Sequence, residues 1–194
     1  MSHKRREFCL KYVDPIKDIG QIDRMKKVLR ESSLRDYVFF VTGINTGISV
    51  SELLQLTVGD VWDGSHVRDF LRIREGRKEK VFYLNSRVKE AIKEYIEKYQ
   101  LKQGDYLFAS RKDHLPISRQ QAYRIIKSAA RKAGVTGRIG THSLRKTFGY
   151  HAYVKGVAIS LLMTIFNHHS PNETLQYIGI DKNDPIAIRI DVNL

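Results

Sequence analysis

Thr141-His142-Ser143-Leu144-Arg145 sets a histidine and an arginine three residues apart where a helical pattern begins, so both side chains can reach one place. Asn167-His168-His169-Ser170 follows, and Tyr177 stands nine residues after His168. These groups suit phosphoryl transfer. Arginine presents a planar fork that grips two phosphate oxygens and stabilises charge on a five-coordinate transition state. Histidine donates to phosphate or moves a proton near neutrality. A tyrosine hydroxyl can attack phosphorus and hold it as a covalent ester. Its ordinary pKa is about 10, so it needs a base or positive surroundings to act at neutral pH. Taken singly, each residue is ordinary: a lone His or Tyr is more often packing, and His-x-x-Arg alone is a weak pattern. His142, His151, His168 and His169 lack a carboxylate or cysteine at ligand spacing, so no metal site is expected.

The elements that must position these groups read as mostly helical. Ile22, Met25, Val28 and Leu29 share one face of a helix over 21–31. A second helix over 36–44 is broken by Asn45-Thr46-Gly47, and a third covers 51–56. Residues 67–74 and 80–84 are rich in β-branched and aromatic side chains, and the Gly-containing segment 75–79 joins them as a β-hairpin. Helical spacing returns over 87–99. Ser118 and Gln121 form a capping box for a helix that runs to about Ala133 and stops at Gly134. Helices are expected over 142–153 and 158–166, and Ser170-Pro171-Asn172-Glu173 starts a short one that ends at Gly179. Ile186, Ile188, Ile190 and Val192 alternate with polar or small residues, so the tail reads as a strand. The expected class is α+β, mostly helical with a small antiparallel β-sheet, with an N-terminal extension at 1–20, one domain at 21–180 and a C-terminal tail at 181–194.

Charge gives the partner class. The 194 residues hold 34 Lys plus Arg against 21 Asp plus Glu, a formal net charge of +13. Such a surface attracts a polyanion by releasing its counterions. A hydrophobic fraction of 42% is enough for a packed core and excludes a disordered chain. The single cysteine, Cys9, excludes a disulfide framework and fits a reducing, cytoplasmic compartment. No apolar run approaches the roughly 18 residues of a membrane span. Residues 119–133 carry Arg119, Arg124, Lys127, Arg131 and Lys132 and no acidic residue. A solvated helix face mixes signs, so this one is expected to lie against a phosphate backbone or in a groove. The tail 181–194 is apolar and slightly acidic, which suits a protein contact.

Order and spacing add a resemblance. "GINTGISVSELLQLTVGDV" at 43–61, "THSLRKTFGYHAY" at 141–153 and "IFNHHSPNETLQYIGI" at 165–180 resemble the three boxes of the tyrosine recombinases, the phage-integrase and Xer-type family, over about 12–179. The resemblance implies the tyrosine recombinase catalytic-domain fold. It makes His142 and Arg145 the second-box pair, His168 the third-box histidine and Tyr177 the nucleophile. The spacing of nine to Tyr177 selects His168 over His169. Two positions depart from the pattern. The family's first box carries an Arg after Thr-Gly-Leu, and here Thr46-Gly47-Ile48 is followed by Ser49. Loss of such a donor costs about 10²–10³ in rate. The family also places in the hairpin a lysine that protonates the leaving 5′ oxygen. Lys78, Lys80 and Arg77 are candidates, and Lys78 is chosen because it lies nearest the turn.

The resemblance implies cutting and rejoining of double-stranded DNA through a 3′-phosphotyrosine, with no metal and no nucleotide cofactor, because the ester conserves the energy. It implies integration or a related recombination on a bacterial, phage or mobile element, by a homo-oligomer that is a tetramer in the family, with the tail reaching a neighbouring protomer. Family members commonly carry a helical DNA-clamping domain ahead of the catalytic one. The chain starts about where the catalytic domain starts, so weaker and strongly salt-dependent DNA affinity is expected. Two rivals remain: a recombinase-like module that binds DNA without cutting, which Ser49 favours, and a type IB topoisomerase, which uses a similar set of groups. Size and box spacing favour the recombinase.

Overall fold

The computed structural model describes residues 13–75 and 78–180. The candidate strand in the tail lies outside them. Helix α1 (Ile19–Ser32) starts where the Asp18 carboxylate accepts from the Gln21 amide. Helix α2 (Leu34–Thr46) starts on the Ser33 hydroxyl and ends at Gly47, whose φ of 70° only glycine adopts without strain. Helix α3 (Val50–Leu54) opens on a capping box in which Ser49 and Glu52 each satisfy the other's amide. A four-residue helix, α4 (Val58–Val61), follows on Thr57 and Asp60. Periodicity is blind to so short an element, although its Thr-x-x-Asp start is visible in the sequence.

Strands β1 (Phe70–Glu75) and β2 (Lys78–Tyr83) form one antiparallel pair in register from Phe70↔Tyr83 to Glu75↔Lys78. The ladder therefore runs closer to the turn than the expected five-residue connection allows. The diagonal Arg72–Glu79 ion pair, at 2.8 Å, stabilises the added rungs. Val67 leaves the strand and bridges Trp62 instead. Then come α5 (Ser86–Tyr99), α6 (Arg119–Lys132), α7 (Thr141–Val154), α8 (Ile159–Phe166) and α9 (Pro171–Tyr177). The capping boxes foreseen at Ser118 and the cap at Ser170 before Pro171 are both present.

Helix α2 is apolar nearly all round, which suits a central position. Val38, Phe39 and Phe40 are fully buried, and α1, α5 and α7 pack around it. A second, smaller core holds Leu162, Phe166, Ile178 and Ile180, with Phe148, Leu175 and Tyr177 packed against it. Helix α7 joins the two: Leu144 belongs to the first core and Phe148 borders the second. Residues 13–18, read from the sequence as part of an extension, cross α7. There the Ile16 amide donates to the Thr147 hydroxyl at 2.9 Å and the Ile16 side chain is buried.

The approach of α7 to the second core depends on Gly149. A Cβ there would stand 2.6 Å from Ile178 Cγ2 and 2.7 Å from Phe166 Cζ. In an open helix Gly→Ala stabilises by about 1 kcal/mol. Here the added methyl must push α8 or the chain after Tyr177 aside, which costs about 1–3 kcal/mol. Gly149→Ala is therefore expected to lower the denaturant midpoint. An unchanged or raised midpoint would contradict the close approach.

Candidate active site

Thr141 is the first residue of α7, so His142 and Arg145 stand one turn apart at its N-terminal end. Arg145 is fixed from two sides. Its Nη2 donates to the Ile165 carbonyl at 2.8 Å, and its guanidinium stacks 5.1 Å from the centre of the Phe166 ring. The Glu52 carboxylate stands 4.0 Å from Nη1. A guanidinium has five N–H donors, so the one held by Ile165 leaves others for a ligand.

His168 enters from the turn after α8, where Asn167 adopts the left-handed conformation that closes the helix. Its Nδ1 lies 3.0 Å from the buried Thr174 hydroxyl on α9. Its ring is 5.0 Å from that of Tyr177, edge to face. His169 is exposed and does not line the cleft that His168 shares with Tyr177, and its backbone amide donates to the Glu173 carboxylate at 2.9 Å. Tyr177, the last residue of α9, also packs 5.1 Å from Phe166. His142, Arg145, His168 and Tyr177 thus line one cleft of about 510 Å³, together with Ser49, Glu52, Lys80 and Arg119.

The electrostatics of the cleft follow from burial. Burial pushes the Tyr177 hydroxyl up to about 12, with Arg145 opposing, so the folded protein holds a neutral phenol. His142, though its edge is exposed, is held below its ordinary value by partial desolvation of the ring in the cleft, then by Lys146, Arg119 and Arg145. Burial also lowers His168, and Glu173 opposes this while Arg145 and His169 assist. Both histidines are therefore neutral at pH 7. For Glu52, burial acts to raise the carboxyl, but hydrogen bonds from Ser49 and Lys80 outweigh it and keep it an anion.

A stability prediction follows. A histidine depressed in the folded state takes up its proton more readily unfolded, so the unfolded chain binds more protons below about pH 6.5. Stability is then highest above about pH 6.5 and falls as pH drops through that value toward the folded pKa. His142→Gln is expected to flatten the fall in denaturation midpoint between about pH 7 and 5.5. An unchanged slope would contradict a neutral His142.

Ser49, read from the sequence as standing at the first-box arginine position, is the N-cap of α3, its hydroxyl accepting from the Glu52 amide at 3.3 Å. In the hairpin, Lys78 opens β2 opposite Glu75, and its side chain lies outside the described residues. Lys80, two residues along the same strand, lines the cleft and donates to Glu52 Oε1 at 2.9 Å. The five cations of α6 do not share one place. Arg119 lines the cleft that holds His142, Arg145 and Tyr177. Arg124, Lys127 and Arg131 line a separate groove of about 870 Å³ with Tyr123 and Arg138. Lys132 borders a third hollow beside Val28 and Leu29 of α1.

Two polar residues of the site escape sequence reasoning. Glu52 brings a carboxylate to the heart of a cationic cleft. Lys146, buried, donates to the Val13 carbonyl at 2.9 Å and lies 5.2 Å from the centre of the Tyr177 ring. Its place directly after Arg145 was the available signal. Among the described residues no group of three or more His, Cys, Asp or Glu side chains is placed to hold a metal ion, and no helix is long and apolar enough to cross a membrane.

Comparison with known proteins bears on this geometry. The model of the phage integrase family matches residues 18–184. A probable integrase/recombinase YoeC of Bacillus subtilis (strain 168) is 42% identical over 171 residues, covering 88% of this chain and 92% of the relative. The chain spans about half the length of the curated tyrosine recombinases it also matches. Among solved structures, XerA recombinase superposes with a TM-score of 0.73 at 22% identity, over 88% of this chain and 60% of that one. XerH recombinase, in a post-cleavage complex with palindromic difH substrate, gives 0.67 at 21% identity over 89% and 50%. The expected α+β catalytic-domain fold is borne out by these neighbours and by the two-stranded sheet.

Proposed function

The chain belongs to the phage integrase family, and we propose that it is a tyrosine recombinase that cuts and rejoins double-stranded DNA through a 3′-phosphotyrosine ester on Tyr177. The observation that carries the reading is the convergence of Tyr177, Arg145, His142 and His168, from two helices and a turn, on one cleft.

In the proposed reaction Arg145 and His142 hold the non-bridging oxygens of the scissile phosphate. The Tyr177 oxygen attacks phosphorus and gives its proton to the neutral His168 imidazole. The bond to the 5′ oxygen breaks, and a hairpin lysine, Lys80 or Lys78, protonates that oxygen to leave a free 5′ hydroxyl. Attack by a second 5′ hydroxyl reverses the steps on a new strand. Because Tyr177 begins as a phenol, charge must be supplied when the phosphate arrives. The groove of Tyr123, Arg124, Lys127, Arg131 and Arg138 contacts the DNA backbone, as its charge favours. Assembly on two DNA sites by several copies, cytoplasmic location and a docking role for the tail 181–194 belong to the same reading.

A second reading rests on Ser49: without the first-box guanidinium, the chain is a recombinase-like module that binds DNA and does not cut. A pool of nicked duplexes, randomised around the nick, separates the two. Cleavage beside the nick releases a short fragment and traps the ester. A covalent protein–DNA adduct is expected, and sequencing its DNA gives the site. Binding without an adduct from wild type and from Ser49→Arg would overturn the recombinase reading.

A further inference from the structure

The cleft lacks the arginine its family carries after the first Thr-Gly pair, yet a second guanidinium stands in it. Arg119 is the first residue of α6, set there by the Ser118 capping box. Its Nη2 donates to the Ser51 hydroxyl at 2.5 Å. Ser51 lies on α3, two residues beyond the Ser49 cap, so this bond carries the arginine across to the first-box side of the cleft. There Arg119 lines the same surface as Arg145, His142 and Tyr177. It is also close enough to His142 to depress that imidazole's proton affinity.

We propose that Arg119 supplies the second guanidinium of the phosphate clamp, from α6, in place of the arginine that position 49 lacks. The proposal rests on the recombinase reading above. Ser51 occupies one of the five N–H donors and orients the plane, leaving a fork for phosphate oxygens. The charge balance needs such a group. Glu52 offsets one of the cleft's three cations, Lys80, Arg119 and Arg145, through its bond to Lys80. Two positive charges then face the transition state, and without Arg119 one remains. The other α6 cations, Arg124, Lys127 and Arg131, line the separate groove and cannot substitute.

The test uses the full chain and a nicked duplex recovered from the randomised pool, with adduct formation timed at saturating DNA and affinity read by gel shift. Arg119→Ala is expected to slow adduct formation by about 10²–10³. Its affinity should change far less, because one phosphate contact among several is lost. Arg119→Lys should stay slow, since a point charge does not replace a fork. The double change Arg119→Ala with Ser49→Arg should recover the rate, which a merely structural defect would not. Arg119 is exposed, so its replacement does not threaten the fold. Wild-type speed in Arg119→Ala, or no rescue by Ser49→Arg, would overturn the proposal and leave the recombinase reading intact. An adduct that wild type fails to form and Ser49→Arg gains would overturn the proposal and favour the non-cutting module. No adduct from either protein would overturn both.

Discussion

Tyr177→Phe forms no covalent adduct on the recovered nicked duplex while binding it as wild type does. The phenol oxygen is the one atom that can carry the ester, so its removal abolishes the step rather than slowing it. Binding survives because the ring is kept. Its packing against Phe166 at 5.1 Å and His168 at 5.0 Å, and its place under Lys146, involve the ring and not the oxygen. The substitution also relieves a buried hydroxyl with a strongly raised pKa, so the denaturant midpoint should hold or rise slightly. An adduct retained in Tyr177→Phe would mean that another residue attacks. A large loss of binding would mean that the hydroxyl, not the basic groove, holds DNA.

Arg145→Ala is expected to lower the adduct rate at saturating DNA by about 10²–10³, equal to about 2.7–4 kcal/mol of lost transition-state stabilisation. Its effect on DNA affinity should be smaller. Part of the change is structural, and Arg145→Lys separates the parts. The guanidinium spans the Ile165 carbonyl, the Phe166 ring and the vicinity of Glu52, so alanine leaves Glu52 facing the cleft with one fewer cation. Lysine restores the charge near Glu52 without the fork. A stability recovered by lysine with a rate still low would assign the rate to bidentate phosphate contact. A rate recovered by lysine would contradict that assignment.

What the sequence made legible is local. His142 and Arg145 share a helix end, and spacings of that kind survive folding because a helix fixes them. Ser118 and Ser170 announce their helices through caps that need only three or four residues. The choice between His168 and His169 follows from the sequence spacing to Tyr177, and of the two it is His168 that lines the cleft. The illegible parts are those that long-range packing decides. Lys78 and Lys80 have the same parity on β2, so alternation cannot separate them; the reach of the cleft, through Glu52 on α3, brings in Lys80. Arg119 shares a helix with Arg124 and Lys127, but the α6 N-terminus abuts α3 while its middle borders the other groove. Glu52 reads as the polar residue of a capping box, and only the fold turns it toward Arg145 and Lys80. Helix α4, four residues long, spans barely one period of the pattern that would reveal it.

The single most direct measurement is the identity of the residue joined to DNA. Wild-type protein trapped on the nicked duplex is digested, and the DNA-linked peptide is sequenced by mass spectrometry. The account predicts a 3′-phosphate ester on Tyr177. An ester on any other residue, or no linkage from either wild type or Ser49→Arg while DNA is bound, would contradict it.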